Sequence, residues 1–213
     1  MPSEAAGWSD PDRVAEYLSR EIPHRDFAEE MLLAALPQKV ERLLDLGTGD
    51  GRLIALVRGV HPQAEAVGID NSQPMLDRAA GRFAGAPPTE LRLHDLSDRL
   101  PDAGRFDAIV SGLAIHHLED ERKRTLFAEA RDRLSPGGVF ANLDLVEAAT
   151  PALHERFRRE IGRPEDDPAD RLAPLYDQLG WLRAAGFPDA ECHFKWLQLT
   201  LVVGTASGQS QPT

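Results

Sequence analysis

This sequence contains very little cysteine, no long apolar run and no excess of positive charge. Its single cysteine, Cys192, excludes an internal disulfide and fits the reducing conditions inside a cell. No apolar run reaches the roughly 18 residues that a membrane-spanning helix needs. The first seven residues lack the basic and apolar segments of a signal peptide. The sequence therefore predicts a soluble, cytoplasmic protein.

The charge balance argues against a nucleic-acid partner. Lys and Arg number 24 against 35 Asp and Glu, so the net charge is −11, whereas nucleic-acid-binding proteins usually carry a basic surface. The best local basic candidate is Arg156-Phe157-Arg158-Arg159, which we interpret as the solvated face of a helix. We expect a small-molecule partner, and the sequence is compatible with a homodimer.

Strand and helix patterns alternate through the middle of the chain. Strands are predicted over 40–46, 65–69, 90–94, 106–111 and 139–146, and helices over 50–59, 72–83 and 120–134. Such alternation indicates a parallel sheet with helices on both faces. Two helices, over 10–20 and 24–36, precede it. A proline-broken segment over 151–172, a helix over 174–185 and strands over 190–194 and 197–204 follow it; the short join makes this last pair antiparallel.

A glycine-rich turn follows the first strand of this alternation, in Leu44-Asp45-Leu46-Gly47-Thr48-Gly49-Asp50-Gly51. Alternate glycines let the backbone turn tightly and approach a ligand at the carboxyl end of a strand. A dinucleotide-binding turn would have glycine where Arg52 stands, and Asp45 would repel a pyrophosphate. A carboxylate at this position favours a positively charged ligand. The alternative is an ordinary strand–helix turn that binds nothing.

The same stretch resembles the first motif of the class I S-adenosylmethionine-dependent methyltransferases, which reads hydrophobic-acid-hydrophobic-G-x-G-x-G. The segment 111–120 and the closing strands are similar to small-molecule members of the type 11 and 12 groups. The resemblance spans roughly 40–204. It implies a doubly wound, Rossmann-like α/β fold with a seven-stranded sheet, mostly parallel, with an antiparallel C-terminal hairpin strand and helices on both faces. It also implies methyl transfer from S-adenosylmethionine to an oxygen, nitrogen or carbon nucleophile.

The resemblance divides the chain into regions. Residues 1–38 would form a helical lid, with Trp8, Tyr17 and Phe27 as candidate walls of the acceptor pocket. Residues 39–204 would bind S-adenosylmethionine, with 151–172 as a substrate-side insertion, and 205–213 would be a disordered tail. The short lid and the proline-broken insertion depart from related proteins, so no acceptor can be transferred from them.

Two further strand ends carry an acid. Asp70 lies 19 residues after Gly51, where a carboxylate can accept hydrogen bonds from ribose hydroxyls. Its alternative role is to cap the next helix, which Ser72 could do instead. By resemblance, the third acid, Asp95, would contact adenine. The predicted cofactor-binding residues lie at or just beyond strand ends; they are Asp45, Gly47, Thr48, Gly49, Asp70, Asn71, Met75, Asp95, Leu96, Ser111 and Gly112.

His116 and His117 follow the fourth strand and would lie at the mouth of the acceptor pocket. Either could act as a general base or bind the substrate, and His116 is the preferred catalytic candidate. No spacing of ligand residues indicates a metal site. Two other functions stay open: a nicotinamide-dependent oxidoreductase, and a nucleoside-binding partner or regulatory protein without turnover.

Overall fold

The computed structural model describes residues 8, 10–19, 21–163 and 165–207. The strands are β1 (Arg42–Leu46), β2 (Glu65–Asp70), β3 (Thr89–Leu93), β4 (Phe106–Gly112), β5 (Leu134–Leu145), β6 (Glu191–Trp196) and β7 (Leu199–Thr205). The α-helices are α1 (Pro11–Leu18), α2 (Arg25–Ala35), α3 (Arg52–Val60), α4 (Gln73–Arg82), α5 (Asp120–Arg133), α6 (Pro151–Glu160) and α7 (Leu175–Ala184). In the described ranges, no helix has the length and apolar character needed to cross a membrane.

The strands form a single seven-stranded sheet in the order β3-β2-β1-β4-β5-β7-β6. Strands β1 to β5 are parallel, and β7 runs antiparallel to both of its neighbours. This arrangement confirms the predicted fold, including the antiparallel hairpin. Because the strand order reverses between β1 and β4, the loops after these strands border a crevice in which α/β proteins bind ligands.

Apolar side chains cover both faces of the sheet. Leu44 and Leu46 of β1 pack on one face with Phe127 and Phe140, whereas Leu43 packs on the other with Ile54. Neighbouring strand residues point to opposite faces, so a sheet covered on both sides needs the nearly continuous apolar strands seen here. The two cores hold the carboxyl ends of β1, β2 and β4 in fixed register.

The predicted helix starts are confirmed by their capping hydrogen bonds. The Asp10 side chain accepts from the Asp12 amide at 3.0 Å, and the Ser72 hydroxyl accepts from the Met75 amide at 3.3 Å. Each bond satisfies an amide that has no partner within the helix. Since Ser72 caps α4, Asp70 does not have to perform this role.

Two predicted boundaries near the end of the sheet are wrong. The strand predicted to begin at 139 begins at Leu134 instead, with an irregular register opposite β4. The tail was expected to begin at 205, but β7 extends to Thr205, and buried Ala206 exchanges hydrogen bonds with Gly137 and Gly138. These two hydrogen bonds to Ala206 extend the pairing of β5 beyond β7. Residues 208–213 lie outside the described residues.

Candidate functional site

The turn between β1 and α3 can be formed only by glycine at two positions. Gly47 has a φ of +71°, and a Cβ there would clash with the side chain of Ala114. Gly51, the residue before α3, has a φ of +81°, and a Cβ there would clash with the Phe83 ring. Positive φ disfavours other residues, and the close neighbours leave no space for a side chain. The turn is thereby held in one compact conformation.

Asp45, at the end of β1, is a buried carboxylate with unused hydrogen-bonding capacity. Its side chain accepts the Thr48 hydroxyl at 2.8 Å through Oδ2, while buried Oδ1 has no hydrogen-bond partner among the described residues. Burial raises the pKa of Asp45 to about 7, with the charge of Asp70 adding to this and the Thr48 bond opposing it. A positively charged donor at Oδ1 would relieve the cost of this burial.

Asp70, at the end of β2, fixes the glycine-rich turn to the neighbouring strand. One carboxylate oxygen accepts from the Gly49 amide at 2.8 Å, and the other accepts from the Ser72 amide at 2.8 Å. Burial raises the pKa of Asp70, although these backbone bonds oppose the shift. The Asn71 amide also donates to this carboxylate, so one of its four lone pairs is left to accept a hydrogen bond from a ligand hydroxyl.

The end of β3 reaches the same edge of the sheet. Asp95 accepts hydrogen bonds from the Ser97 amide at 2.8 Å and from the Asn71 side chain. Burial acts to raise the pKa of Asp95, but these bonds outweigh it and leave that pKa below its usual value. Met75 and Leu96 lie at the same edge, each near the Cβ position of a loop glycine.

A cavity of about 720 Å³ opens beside the glycine-rich turn. Five predicted cofactor residues line it, together with N-terminal residues such as Tyr17, Ile22 and Arg25; the five are Asp45, Gly47, Thr48, Gly49 and Gly112. The other predicted residues lie outside its lining; they are Asp70, Asn71, Met75, Asp95, Leu96 and Ser111. The Ser111 hydroxyl bonds the Leu46 carbonyl at 2.8 Å, so its side chain stabilises the sheet.

Arg52, which stands where a dinucleotide-binding turn has glycine, connects α3 to the N-terminal region. Its guanidinium contacts Glu29 at 2.6 Å and Asp26 at 2.8 Å, and Glu29 also pairs with Arg25 at 2.8 Å. Glu29 is buried, so the two arginines neutralise a charge that would otherwise be costly. The sequence alone did not indicate this network, because Arg52 lies 23 residues from Glu29 and 26 residues from Asp26.

His116 is buried between two carboxylates. Its Nδ1 contacts Asp144, its amide donates to the same carboxylate at 2.9 Å, and its Nε2 lies 3.6 Å from Asp170. Burial acts to lower the pKa of His116, but the charges of Asp144 and Asp170 outweigh it and raise that pKa. Sequence reasoning missed both partners, although a carboxylate inside the apolar strand β5 was a usable signal for Asp144.

His117 lies beside His116, but its pKa is shifted in the opposite direction. Burial and the neighbouring His116 lower the pKa of His117 to about 4. His116, His117 and Asp170 place potential metal-ligand atoms within 4.8 Å of one another, a grouping that sequence spacing did not predict. A protonated imidazole has no lone pair for a metal, so the raised pKa of His116 opposes metal binding. The expectation of no metal site stays a prediction.

A second, smaller cavity of about 60 Å³ adjoins the first. The two share the wall formed by Tyr17, Glu21, Ile22 and Arg25. The other residues lining the small cavity come from several parts of the chain, and they are Trp8, Leu113, His116, His117, Leu145, Phe157, Arg158, Ile161, Arg163, Asp167 and Asp170. Trp8 and Tyr17, which the sequence suggested as walls of the acceptor pocket, line this small cavity. Phe27 does not, because its half-exposed ring packs on Phe194 at 5.7 Å.

Comparisons with known proteins agree on the type of domain. Residues 43–138 match the family model described as a methyltransferase domain. An uncharacterized methyltransferase of Mycobacterium tuberculosis is 40% identical over 125 residues, which are 59% of each chain, so this chain spans about three fifths of that relative. A trans-aconitate 2-methyltransferase of an Acidovorax species is 31% identical over 207 residues, covering 87% of this chain and 78% of the relative. Among solved structures, an O-methyltransferase family protein of Burkholderia thailandensis has a TM-score of 0.73 at 19% identity, covering 95% of this chain and 62% of that one.

Proposed function

Because this chain belongs to the class I S-adenosylmethionine-dependent methyltransferases, we propose that it methylates an oxygen, nitrogen or carbon atom of a small molecule. One observation carries the proposal: three strand-end carboxylates, Asp45, Asp70 and Asp95, lie at one edge of the sheet beside a turn of three glycines and a large cavity. A cavity of this size falls in the usual range for small-molecule sites.

The residues at this edge fit the parts of S-adenosylmethionine. The unbonded Oδ1 of Asp45 suits the α-ammonium group, and the remaining acceptor site of Asp70 suits a ribose hydroxyl. Asp95 would accept from the adenine amine and the Leu96 amide would donate to the ring, with Asn71 and Met75 beside it. The backbones of Ser111 and Gly112 would border the methionine portion.

When bound, S-adenosylmethionine supplies a methyl group on a sulfonium that is already reactive, so the protein chiefly aligns the acceptor and excludes water. His116 is the side chain best placed to contact an acceptor in the small cavity. The charges of Asp144 and Asp170 raise its pKa against the effect of burial, which disfavours the neutral ring that a general base needs. We therefore assign it to binding the acceptor.

Calorimetry with S-adenosylhomocysteine tests the cofactor site. We expect micromolar binding to the unaltered chain and no binding to Asp70→Ala, which loses both the ribose acceptor and the bond that holds the Gly49 amide. Asp77→Ala, an exposed carboxylate seven residues later on α4, is the matched control and should bind normally. Absence of both heat and thermal shift with the unaltered chain would contradict the proposal.

Turnover distinguishes this function from nucleoside binding alone. We expect release of S-adenosylhomocysteine from S-adenosylmethionine when a suitable acceptor is present, and trans-aconitate is the first to test because of the name of the Acidovorax relative. Tight cofactor binding without release on any acceptor would favour a regulatory role. The nicotinamide oxidoreductase alternative has no support from the family, and NADH should not bind.

The regional assignments are also part of the proposal. Residues 1–38 would act as a lid and 151–172 as the substrate-side insertion, and both contribute side chains to the small cavity, among them Tyr17 and Arg158. A cytoplasmic location, a homodimer and the absence of a nucleic-acid partner are the remaining proposals. Light scattering of the purified chain would establish its oligomeric state.

A further inference from the structure

The sequence suggested that the basic run on α6 is a solvated helix face, but one of its three arginines is buried. Arg156 and Arg159 are exposed, but Arg158 retains only 5% of its exposure and packs next to buried Phe157. Arginine is rarely buried to this degree unless its charge is paired. The position of Arg158 therefore calls for a partner.

The described residues satisfy the Arg158 guanidinium only in part. Its Nε and Nη2 atoms are buried without a hydrogen-bond partner in this part of the chain. The carboxylate of Asp166 lies 3.7 Å from Nε, beyond hydrogen-bond distance. That carboxylate is largely exposed and already accepts from His154 at 2.7 Å. Leaving such a buried group unsatisfied is costly, the more so when it is charged.

Arg158 lines the small cavity, where the other arginines are already paired. Arg25 bonds Glu29 at 2.8 Å, and Arg163 lies 4.0 Å from Asp167. Three acids also line this cavity: Asp170 lies against His116, Asp167 lies against Arg163, and Glu21 belongs to the wall shared with the larger cavity. Among the described lining residues, Arg158 is the cation with buried N–H groups that lack a hydrogen-bond partner.

We propose that Arg158 binds a carboxylate of the methyl acceptor in the small cavity. This inference rests on the proposed function and specifies its substrate class as carboxylic acids. The planar fork of a guanidinium matches the two oxygens of a carboxylate. A cavity of about 60 Å³ suits a group of that size, and it shares a wall with the larger cavity where the methyl donor would lie.

The test uses the full chain saturated with S-adenosylhomocysteine and titrated with glutarate, a dicarboxylate, or with glutaramide, its uncharged diamide. Ligand-detected NMR measures binding of both probes. We expect glutarate to bind at least tenfold more tightly than glutaramide. Arg158→Gln should remove this preference, whereas Arg156→Gln, which changes an exposed arginine of the same helix, should keep it.

Calorimetry with S-adenosylhomocysteine separates the possible failures. If Arg158→Gln no longer binds it, Arg158→Lys is used, which keeps the charge but lacks the fork and should weaken glutarate about tenfold. Equal binding of both probes, binding of neither probe, or an unchanged preference in the Arg158 variants overturns this inference and leaves the cofactor site intact. Failure of the unaltered chain to bind S-adenosylhomocysteine overturns the proposed function, and this inference with it.

Discussion

Replacing Asp45 by Asn should separate two effects of pH that have opposite signs. The first concerns stability. The pKa of Asp45 is about 7 in the folded chain, whereas its ordinary value is 3.8. Between these values the folded state keeps a proton that the unfolded state has lost. Stability must therefore fall as pH rises through this window. A difference of three pKa units corresponds to about 4 kcal/mol of unfolding free energy, which is lost by the time the pH exceeds 7.

The second effect concerns ligand binding, which needs the ionised carboxylate to accept from an ammonium group. Below pH 7 the ionised fraction of Asp45 falls about tenfold per pH unit, so the apparent affinity falls with it. Binding of S-adenosylhomocysteine at pH 5.5 should be about 30-fold weaker than at pH 8. The ligand-free protein thus loses stability over the same range in which its affinity rises.

Urea unfolding of the ligand-free chain between pH 4 and 8, together with calorimetry at each pH, measures both effects. Asp45→Asn should remove the fall in stability and make the affinity nearly independent of pH, at a value below that of the unaltered chain at pH 8. Asp98→Asn, an exposed carboxylate beyond β3, serves as the control and should change neither curve. Parallel stability curves for the unaltered chain and Asp45→Asn would refute the reasoning.

Three further predictions follow from the site. Gly47→Ala should lower the free energy of unfolding by about 2–5 kcal/mol, because Gly47 has a positive φ and a Cβ there would clash with Ala114. Gly59→Ala, in open space on α3, should be neutral or slightly stabilising, and urea unfolding compares the two variants. Arg52→Met should lower the free energy of unfolding by about 2 kcal/mol, because buried Glu29 loses one of its partners. Adding Glu29→Gln should restore part of this loss. A double-mutant cycle in which the two effects simply add would contradict the network. The ring of His116 should stay protonated above pH 6.5 in NMR spectra, and a neutral ring at that pH would disprove the two-acid pairing.

The cofactor side of the molecule could be predicted from sequence because its signals are local. Asp45 and the three glycines lie within seven residues, and their types follow from backbone geometry. Ser72 and Pro74 likewise mark the start of α4 within a single turn. The parallel arrangement of the first five strands followed from the alternation of strands and helices, since parallel strands need long crossovers. Local rules therefore give the fold and the position of the glycine-rich turn.

Local rules failed where a distant contact decided the structure. The Ser135-Pro136-Gly137-Gly138 stretch has the composition of a turn, yet it extends β5 because Ala206 bonds to it across the sheet. In the same way, composition could not show that Arg158, the second arginine of the run on α6, is buried. Burial of a helix residue depends on what packs against that helix, and α6 packs against segments far away in the sequence.

The proposed acceptor side is built from such distant segments, which explains why the family resemblance does not define the substrate. Tyr17, His116, Arg158 and Asp170 belong to the N-terminal region, the loop after β4, α6 and the loop that follows it. A substitution in any one of these segments changes the small cavity without disturbing the glycine-rich turn. Relatives can therefore keep the cofactor motif while binding different acceptors. The charge of the acceptor must then be inferred from the cavity itself, where Arg158 is the buried cation whose hydrogen bonds are incomplete among the described residues.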